Sequence, residues 1–142
     1  MKNVTSDKGD IAVAKVISEL TNHGCYISLP FGAHLPYDII VADAGHKLSK
    51  VQVKYSSMYK GCIPVKLTTT HSNRQGNVFK LINPDYIDAF AVWCPDTENV
   101  YYIHINEMKG KSVFYLRVIP PANNQYERVN MAENYMNHNV IF

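Results

Sequence analysis

Two β-rich runs separated by a four-residue break constrain the fold of this chain more than any other feature of its sequence. The runs are Tyr37–Ala42 and Lys47–Tyr55, and the break at residues 43–46 contains Asp and Gly. A short break of this composition between such runs predicts a β-hairpin. A turn centred at position 45 pairs residues whose numbers add up to 90. Asp38 is then expected opposite Gln52, with Cβ atoms about 5 Å apart.

Alternation along the second strand of this hairpin sorts its side chains onto two faces. Val51, Val53 and Tyr55 form an apolar face, which we expect to pack on the core. Lys50, Gln52 and Lys54 lie on the opposite face, where Asp38 joins them from the neighbouring strand. The hairpin therefore gathers a carboxylate, an amide and an amine on one side. The simpler interpretation is a surface hairpin whose polar face is solvated, which is common in antiparallel sheets.

The same trio has the chemistry that a metal-dependent phosphodiester hydrolase requires. A hard cation such as Mg²⁺ takes oxygen ligands, which here are the Asp38 carboxylate, the Gln52 side-chain oxygen and the Val53 backbone carbonyl. The Lys54 ammonium would position the attacking water or offset charge in the transition state. We therefore predict Asp38, Gln52 and Lys54 as catalytic residues.

The motif Pro36-Tyr37-Asp38, followed after the hairpin by Gln52-Val53-Lys54, resembles the PD-(D/E)xK nuclease signature with Gln replacing the second acid. Over residues 8–107 the chain also resembles the small homing endonucleases encoded in group I introns of bacterial tRNA genes. This resemblance implies an α/β (α+β) fold with a restriction-endonuclease-like core, in which helices flank a central mixed β-sheet. It implies a site-specific, Mg²⁺-dependent DNA endonuclease, with Mn²⁺ able to substitute.

The resemblance also implies that the first helix contributes an acid to the metal site. Asp10 is the candidate at the start of that helix, and we include it among the predicted catalytic residues and metal ligands. Its alternative role is to favour the positive end of the helix dipole. Glu19 is a second acid on this helix, which we expect to face solvent.

Composition places the chain among compact globular proteins. Its 142 residues, 46% hydrophobic and 18% charged, predict one domain over residues 1–142. No apolar run approaches the roughly 20 residues of a membrane span, and the N-terminus lacks a signal core. We therefore expect a cytoplasmic protein. Cys25, Cys62 and Cys94 are odd in number and widely spaced, which indicates neither disulfides nor a zinc site.

The charge of the chain is segregated along its sequence. Residues 44–84 contain seven Lys or Arg and no acid, while the rest carries seven cations against twelve acids, or −5. A basic block that begins in the catalytic hairpin predicts phosphate contacts, although it is also compatible with a solvated face. The polar segment after residue 67 carries groups that bond to phosphates and base edges, and a β-ribbon is one way to present them. The predicted DNA-binding residues are Lys50, Lys60, Lys66, Thr68, Thr70, His71, Asn73, Arg74 and Gln75.

Periodicity outlines the remaining elements. An amphipathic helix is predicted over Gly9–His23, preceded by Thr5, Ser6 or Asp7 as its cap. A near-continuous apolar run over Ile87–Cys94 predicts a central strand. Further strands are expected at Cys25–Leu29, Cys62–Leu67, Val100–Ile105 and Val113–Ile119, with a short helix near residue 105, a weak helix over Tyr126–Tyr135 and an apolar tail at residues 140–142.

Cutting both strands of a duplex requires at least two catalytic hairpins, so we expect a symmetric homo-oligomer. A dimer would satisfy this requirement, and the resemblance to the small homing endonucleases implies a tetramer. Two alternatives to a homing endonuclease stay open. One is a structure-specific relative that resolves four-way Holliday junctions. The other is a non-catalytic DNA-binding module, for which Gln52 and the missing helix glutamate would mark a decayed site.

Overall fold

The computed structural model describes residues 4–32 and 34–142 of the chain, without the side chains of residues 69–73, 77 and 79. Its first element is helix α1, Val4–Asn22, which buries Ala12, Val16 and Leu20 at four-residue spacing. The helix begins five residues before the predicted start, so the proposed capping residues lie inside its first turn. Asp7 is favourable there because it faces the positive end of the helix dipole.

A five-stranded mixed sheet forms the centre of the fold. Its strands are β1 Tyr26–Ser28, β2 Ile39–Ala42, β3 Leu48–Tyr55, β7 Ala89–Cys94 and β8 Asn99–His104. They lie in this order across the sheet, and the β3–β7 pair is parallel while the other pairs are antiparallel. All six residues of β7 are buried, as expected for a central strand that is covered on both faces.

The predicted hairpin and its register are confirmed. Ile39 pairs with Val51 and Ala42 with Leu48, so paired numbers add up to 90. The turn is held by the Asp43 carboxylate, whose Oδ1 accepts hydrogen bonds from the backbone amides of Gly45 (2.9 Å) and Lys47 (2.8 Å). This bonding of a side chain to its own turn explains why Asp favours such positions.

Different layers cover the two faces of the sheet. Helix α1 packs on one face, over the cluster that contains Val51, Val53 and Trp93. A two-stranded antiparallel sheet, β4 Cys62–Lys66 with β9 Val113–Arg117, covers the other face. The core residues of this strand pair join those of β7 in a second cluster, which contains Ile63, Val65, Phe114, Leu116, Phe90, Val92 and Cys94. Strands rather than a helix form this layer because the apolar residues of β4 and β9 alternate.

The remaining segments are short. Strands β5 Thr68–Asn73 and β6 Gly76–Leu81 pair with each other as a separate ribbon, so the polar segment is β-structured. Single 3-10 turns occur at Pro84–Tyr86, Ile105–Glu107, Ala132–Tyr135 and His138–Ile141. The weak helix predicted over Tyr126–Tyr135 is therefore reduced to its last turn. The apolar tail docks on its own chain, where Ile141 is fully buried.

Trp93 is buried in the core. The three cysteines are free. No helix within residues 4–32 and 34–142 is long and apolar enough to cross a membrane.

Candidate active site

Asp38 lies immediately before β2 and is fixed against β3 by two hydrogen bonds. Its backbone amide donates to the Val51 carbonyl at 2.9 Å, and its carboxylate Oδ2 accepts the Val53 amide at 2.8 Å. In a regular antiparallel ladder a backbone carbonyl would accept the hydrogen bond from the Val53 amide, and here the Asp38 carboxylate takes its place. Because one carboxylate oxygen is held by Val53, the orientation of the other is restricted.

Gln52 projects from β3 between Asp38 and the neighbouring strand β7, where its register partner is Phe90. Its side-chain oxygen Oε1 is buried and has no hydrogen-bond donor among the described residues. Leaving such an oxygen unsatisfied costs about 1–3 kcal/mol. Buried polar atoms without a partner are rare in folded proteins, so this one indicates a ligand that the chain itself does not supply.

Lys54 is the next residue on the same face of β3, and it is half-buried. Its Nζ donates to the Thr68 carbonyl at 3.3 Å. The pKa of Lys54 is lowered, mainly because the side chain is partly buried. The Asp38 carboxylate raises this pKa and the Lys66 ammonium lowers it, but burial has the larger effect. Burial also disfavours the charged form of Asp38 and raises the pKa of its carboxyl, although the hydrogen bond from the Val53 amide and the charge of Lys54 lower it. Each of the two charged groups thus favours the charged form of the other, and Asp38 keeps access to solvent.

The donors present fit a hard divalent cation. The Asp38 carboxylate and the unpartnered Gln52 Oε1 are oxygen donors of the kind that Mg²⁺ accepts. The described residues contain no group of three or more His, Cys, Asp or Glu that could hold a metal ion. A cation at this position would therefore depend on an amide oxygen and a backbone carbonyl to complete its shell.

Asp88 directly precedes β7 and bonds to β3 from that side, opposite Asp38. Its role was not identified from the sequence. Its carboxylate Oδ2 accepts the Lys50 amide at 2.8 Å, and its own amide donates to the Lys50 carbonyl at 2.8 Å. Asp38 and Asp88 therefore clamp β3 on both sides, one at Val53 and the other at Lys50. The signal was available, since an acid directly before a buried strand is costly unless its carboxylate has a defined partner.

The other predicted residues are distributed more widely. Asp10 is exposed on α1, and its role stays a prediction. Glu19 does not simply face solvent, because it accepts a hydrogen bond from the Tyr102 hydroxyl at 3.0 Å. Lys50 is half-buried, whereas Lys60, Lys66, Arg74 and Gln75 are exposed. Thr68 is half-buried and uses its carbonyl for Lys54, while the side chains of Thr70, His71 and Asn73 lie outside the described part.

Comparison with known proteins identifies the class of this fold and site as that of nucleases. The family model described as PD-(D/E)XK endonuclease matches residues 3–138. Among solved structures, a bacterial homing endonuclease, I-Ssp6803I, is similar at 26% sequence identity with a TM-score of 0.73. That match covers 92% of this chain and 87% of the other. No curated protein sequence matches.

The chain belongs to the PD-(D/E)XK endonuclease family, since the family model spans nearly its whole length. The restriction-endonuclease-like fold inferred from the hairpin motif is confirmed, and so is the resemblance to homing endonucleases at the level of structure. Family and fold together support a DNA endonuclease.

Proposed function

We propose that this protein is a Mg²⁺-dependent, site-specific endonuclease of double-stranded DNA, of the homing type. The observation that carries this proposal is the buried, unpartnered Gln52 Oε1 on the same strand that carries Lys54 and that fixes the Asp38 carboxylate at the Val53 amide. A purely structural hairpin would have no reason to keep that oxygen unsatisfied.

In the proposed mechanism Asp38, Gln52 and the Val53 carbonyl hold the cation, which Mn²⁺ can replace, and Asp10 is a supporting acid. When bound, the cation supplies Lewis-acid polarisation of a phosphoryl oxygen. The Val53 amide keeps Asp38 oriented, and Asp88 keeps β3 in register beneath it. Lys54 orients the attacking water and offsets negative charge that develops on the phosphate. Its positive charge is costly in this partly buried site, and a phosphate would relieve that cost.

We propose that the β5–β6 ribbon reads the DNA sequence. Within the described structure its strands pair only with each other, and a two-stranded ribbon has dimensions that fit the major groove. Thr68, Thr70, His71, Asn73, Arg74 and Gln75 lie on it or at its tip. Lys50 lies on the catalytic hairpin and Lys60 and Lys66 follow it along the chain, and all three would contact backbone phosphates. Because each chain carries one such hairpin, cleavage of both strands requires a homo-oligomer, which we propose is a dimer or tetramer.

The test is cleavage of a plasmid library with randomised inserts, in Mg²⁺ or in EDTA, followed by sequencing of the cleaved ends. We expect cleavage only with Mg²⁺, at ends that share one sequence. Asp38→Asn and Lys54→Ala should each lower the rate about 10²–10³-fold, because each removes a charge that acts at the reacting phosphate. Asp85→Asn and Lys15→Ala remove exposed charges elsewhere and should retain wild-type rates.

Two results would contradict the proposal. Cleavage of a synthetic four-way junction irrespective of its sequence would favour a junction resolvase. Tight DNA binding without any cleavage, unchanged by Asp38→Asn and Lys54→Ala, would favour a DNA-binding module.

A further inference from the structure

A groove with a volume of about 420 Å³ lies on the side of the β4–β9 sheet that faces away from the core. Its floor comes from the outward-facing residues of the two strands, among them Cys62, Tyr115 and Arg117. One wall is the segment at residues 128–130, which follows the free edge of β9. The Arg117 amide donates to the Asn130 carbonyl at 2.7 Å and fixes that wall in place.

The groove is strongly cationic. Lys111, Arg117 and Arg128 line it, and none of the described residues that line it is acidic. The Arg117 guanidinium is held by the Ile119 carbonyl and by the Cys62 sulfur, at 3.6 Å from the latter. Lys111 and Arg128 are exposed, and the Lys111 Nζ lies over the Phe114 ring at 4.9 Å from its centroid. Because three like charges repel each other where the lining supplies no carboxylate, an anion would stabilise this arrangement.

The cationic groove continues the catalytic surface. Lys66, at the other end of β4, faces outward with Cys62 and lies two residues before Thr68, whose carbonyl accepts a hydrogen bond from Lys54 Nζ at 3.3 Å. The Ser56 hydroxyl donates to the Pro64 carbonyl at 2.6 Å and anchors β4 to the end of β3. From Lys66 to the Cys62–Arg117 pair the strand advances four residues, or about 13 Å. This length matches about four nucleotides of a DNA strand, at about 3.4 Å each.

We propose that the groove formed by Lys111, Arg117 and Arg128 binds backbone phosphates of the duplex substrate, beyond the nucleotides that lie at the catalytic hairpin. The three residues lie outside the basic block at residues 44–84, to which the sequence alone assigned phosphate contacts. This inference rests on the proposed function, because it presumes that duplex DNA reaches Lys54. The contacts would be independent of sequence, since phosphates carry no base information.

The experiment measures binding of a fluorescent 30-bp mixed-sequence duplex in EDTA, as a function of KCl concentration. Each lost phosphate contact lowers the slope of log K against log salt by about 0.9, and weakens binding about eightfold at 0.1 M salt. We expect that loss from Lys111→Gln and from Arg128→Gln, and twice the loss of slope from the double variant. Arg128→Lys keeps the charge and should restore the wild-type slope.

Lys15→Gln is the matched control, because Lys15 is an exposed cation on α1, across the main sheet from the groove. Wild-type slopes in all groove variants, with normal binding by the parent, would overturn the groove assignment alone. Absence of salt-dependent duplex binding by the parent would overturn the proposed function as well. A parallel titration with ATP separates DNA phosphates from free nucleotides. ATP binding that Arg128→Gln abolishes, with unchanged DNA binding, would also overturn the assignment.

Discussion

Replacing Gln52 by methionine should make the metal-free protein more stable while abolishing its activity. Methionine has nearly the same length and shape as glutamine but lacks the side-chain oxygen. In the wild type that oxygen is buried without a donor among the described residues. It therefore contributes nothing to the stability of the metal-free fold. The thioether in the Gln52→Met variant would fill the same space and would also suit the adjoining Phe90, with which position 52 is in register on β7.

The expected gain follows from the cost of an unsatisfied buried oxygen, about 1–3 kcal/mol. For a chain of this size we expect a rise in melting temperature of about 4 °C per kcal/mol, or about 4–12 °C in all. Mg²⁺ should narrow this difference in stability, because it stabilises the wild type alone. At ten times its dissociation constant a ligand stabilises the native state by about 1.4 kcal/mol, and the variant would forfeit that stabilisation together with the ligand.

The assay is thermal unfolding by circular dichroism, in EDTA and in 10 mM MgCl₂. Gln125→Met is the control, because Gln125 is exposed and the same exchange there should change stability by less than about 0.5 kcal/mol. A Gln52→Met protein that is less stable than wild type in EDTA would refute the reasoning. So would equal stabilisation of both proteins by Mg²⁺, since position 52 would then not contribute to the cation site.

Two further predictions concern the C-terminal segment, which docks on the α1 side of the sheet. Ser49→Ala should lower the unfolding free energy by about 1–3 kcal/mol, measured by urea titration, because the buried Ile141 carbonyl loses the hydroxyl that donates to it at 2.7 Å. His138→Phe should remove a pH dependence: burial and the stacked His23 hold the pKa of His138 below 6.5, so wild-type stability falls below pH 6.5. The unfolding free energy of the variant relative to that of the wild type should rise as the pH is lowered from about 7.5 to about 5.5. A difference in unfolding free energy that does not change with pH would contradict this.

The hairpin was predictable because its determinants are local. Strand alternation and a turn at residues 43–46 fix the pairing of β2 with β3, and the pairing carries Asp38 to the amide of Val53. The partners of β4 were not predictable in this way. Residue Cys62 pairs with Arg117, and no local pattern specifies a register between strands so far apart in sequence. The groove depends on such a pairing, and so does the identity of the partner of Asp88, the Lys50 amide, so both appeared only in the structure.

The proposed catalytic site departs from the rules that hold elsewhere in this fold. Strand β7 buries apolar side chains along its whole length, as a central strand should. Strand β3, in contrast, carries an unpartnered amide oxygen and a partly buried ammonium on the face opposite helix α1. Such departures persist only where the surrounding structure fixes them. Here the fixing groups are Asp38 and Asp88, which bond to β3 from opposite edges. The two carboxylates thus hold the strand that carries Gln52, whose side-chain oxygen has no partner among the described residues, and Lys54, whose ammonium donates to the Thr68 carbonyl. Both side chains are left in a position that favours an external ligand.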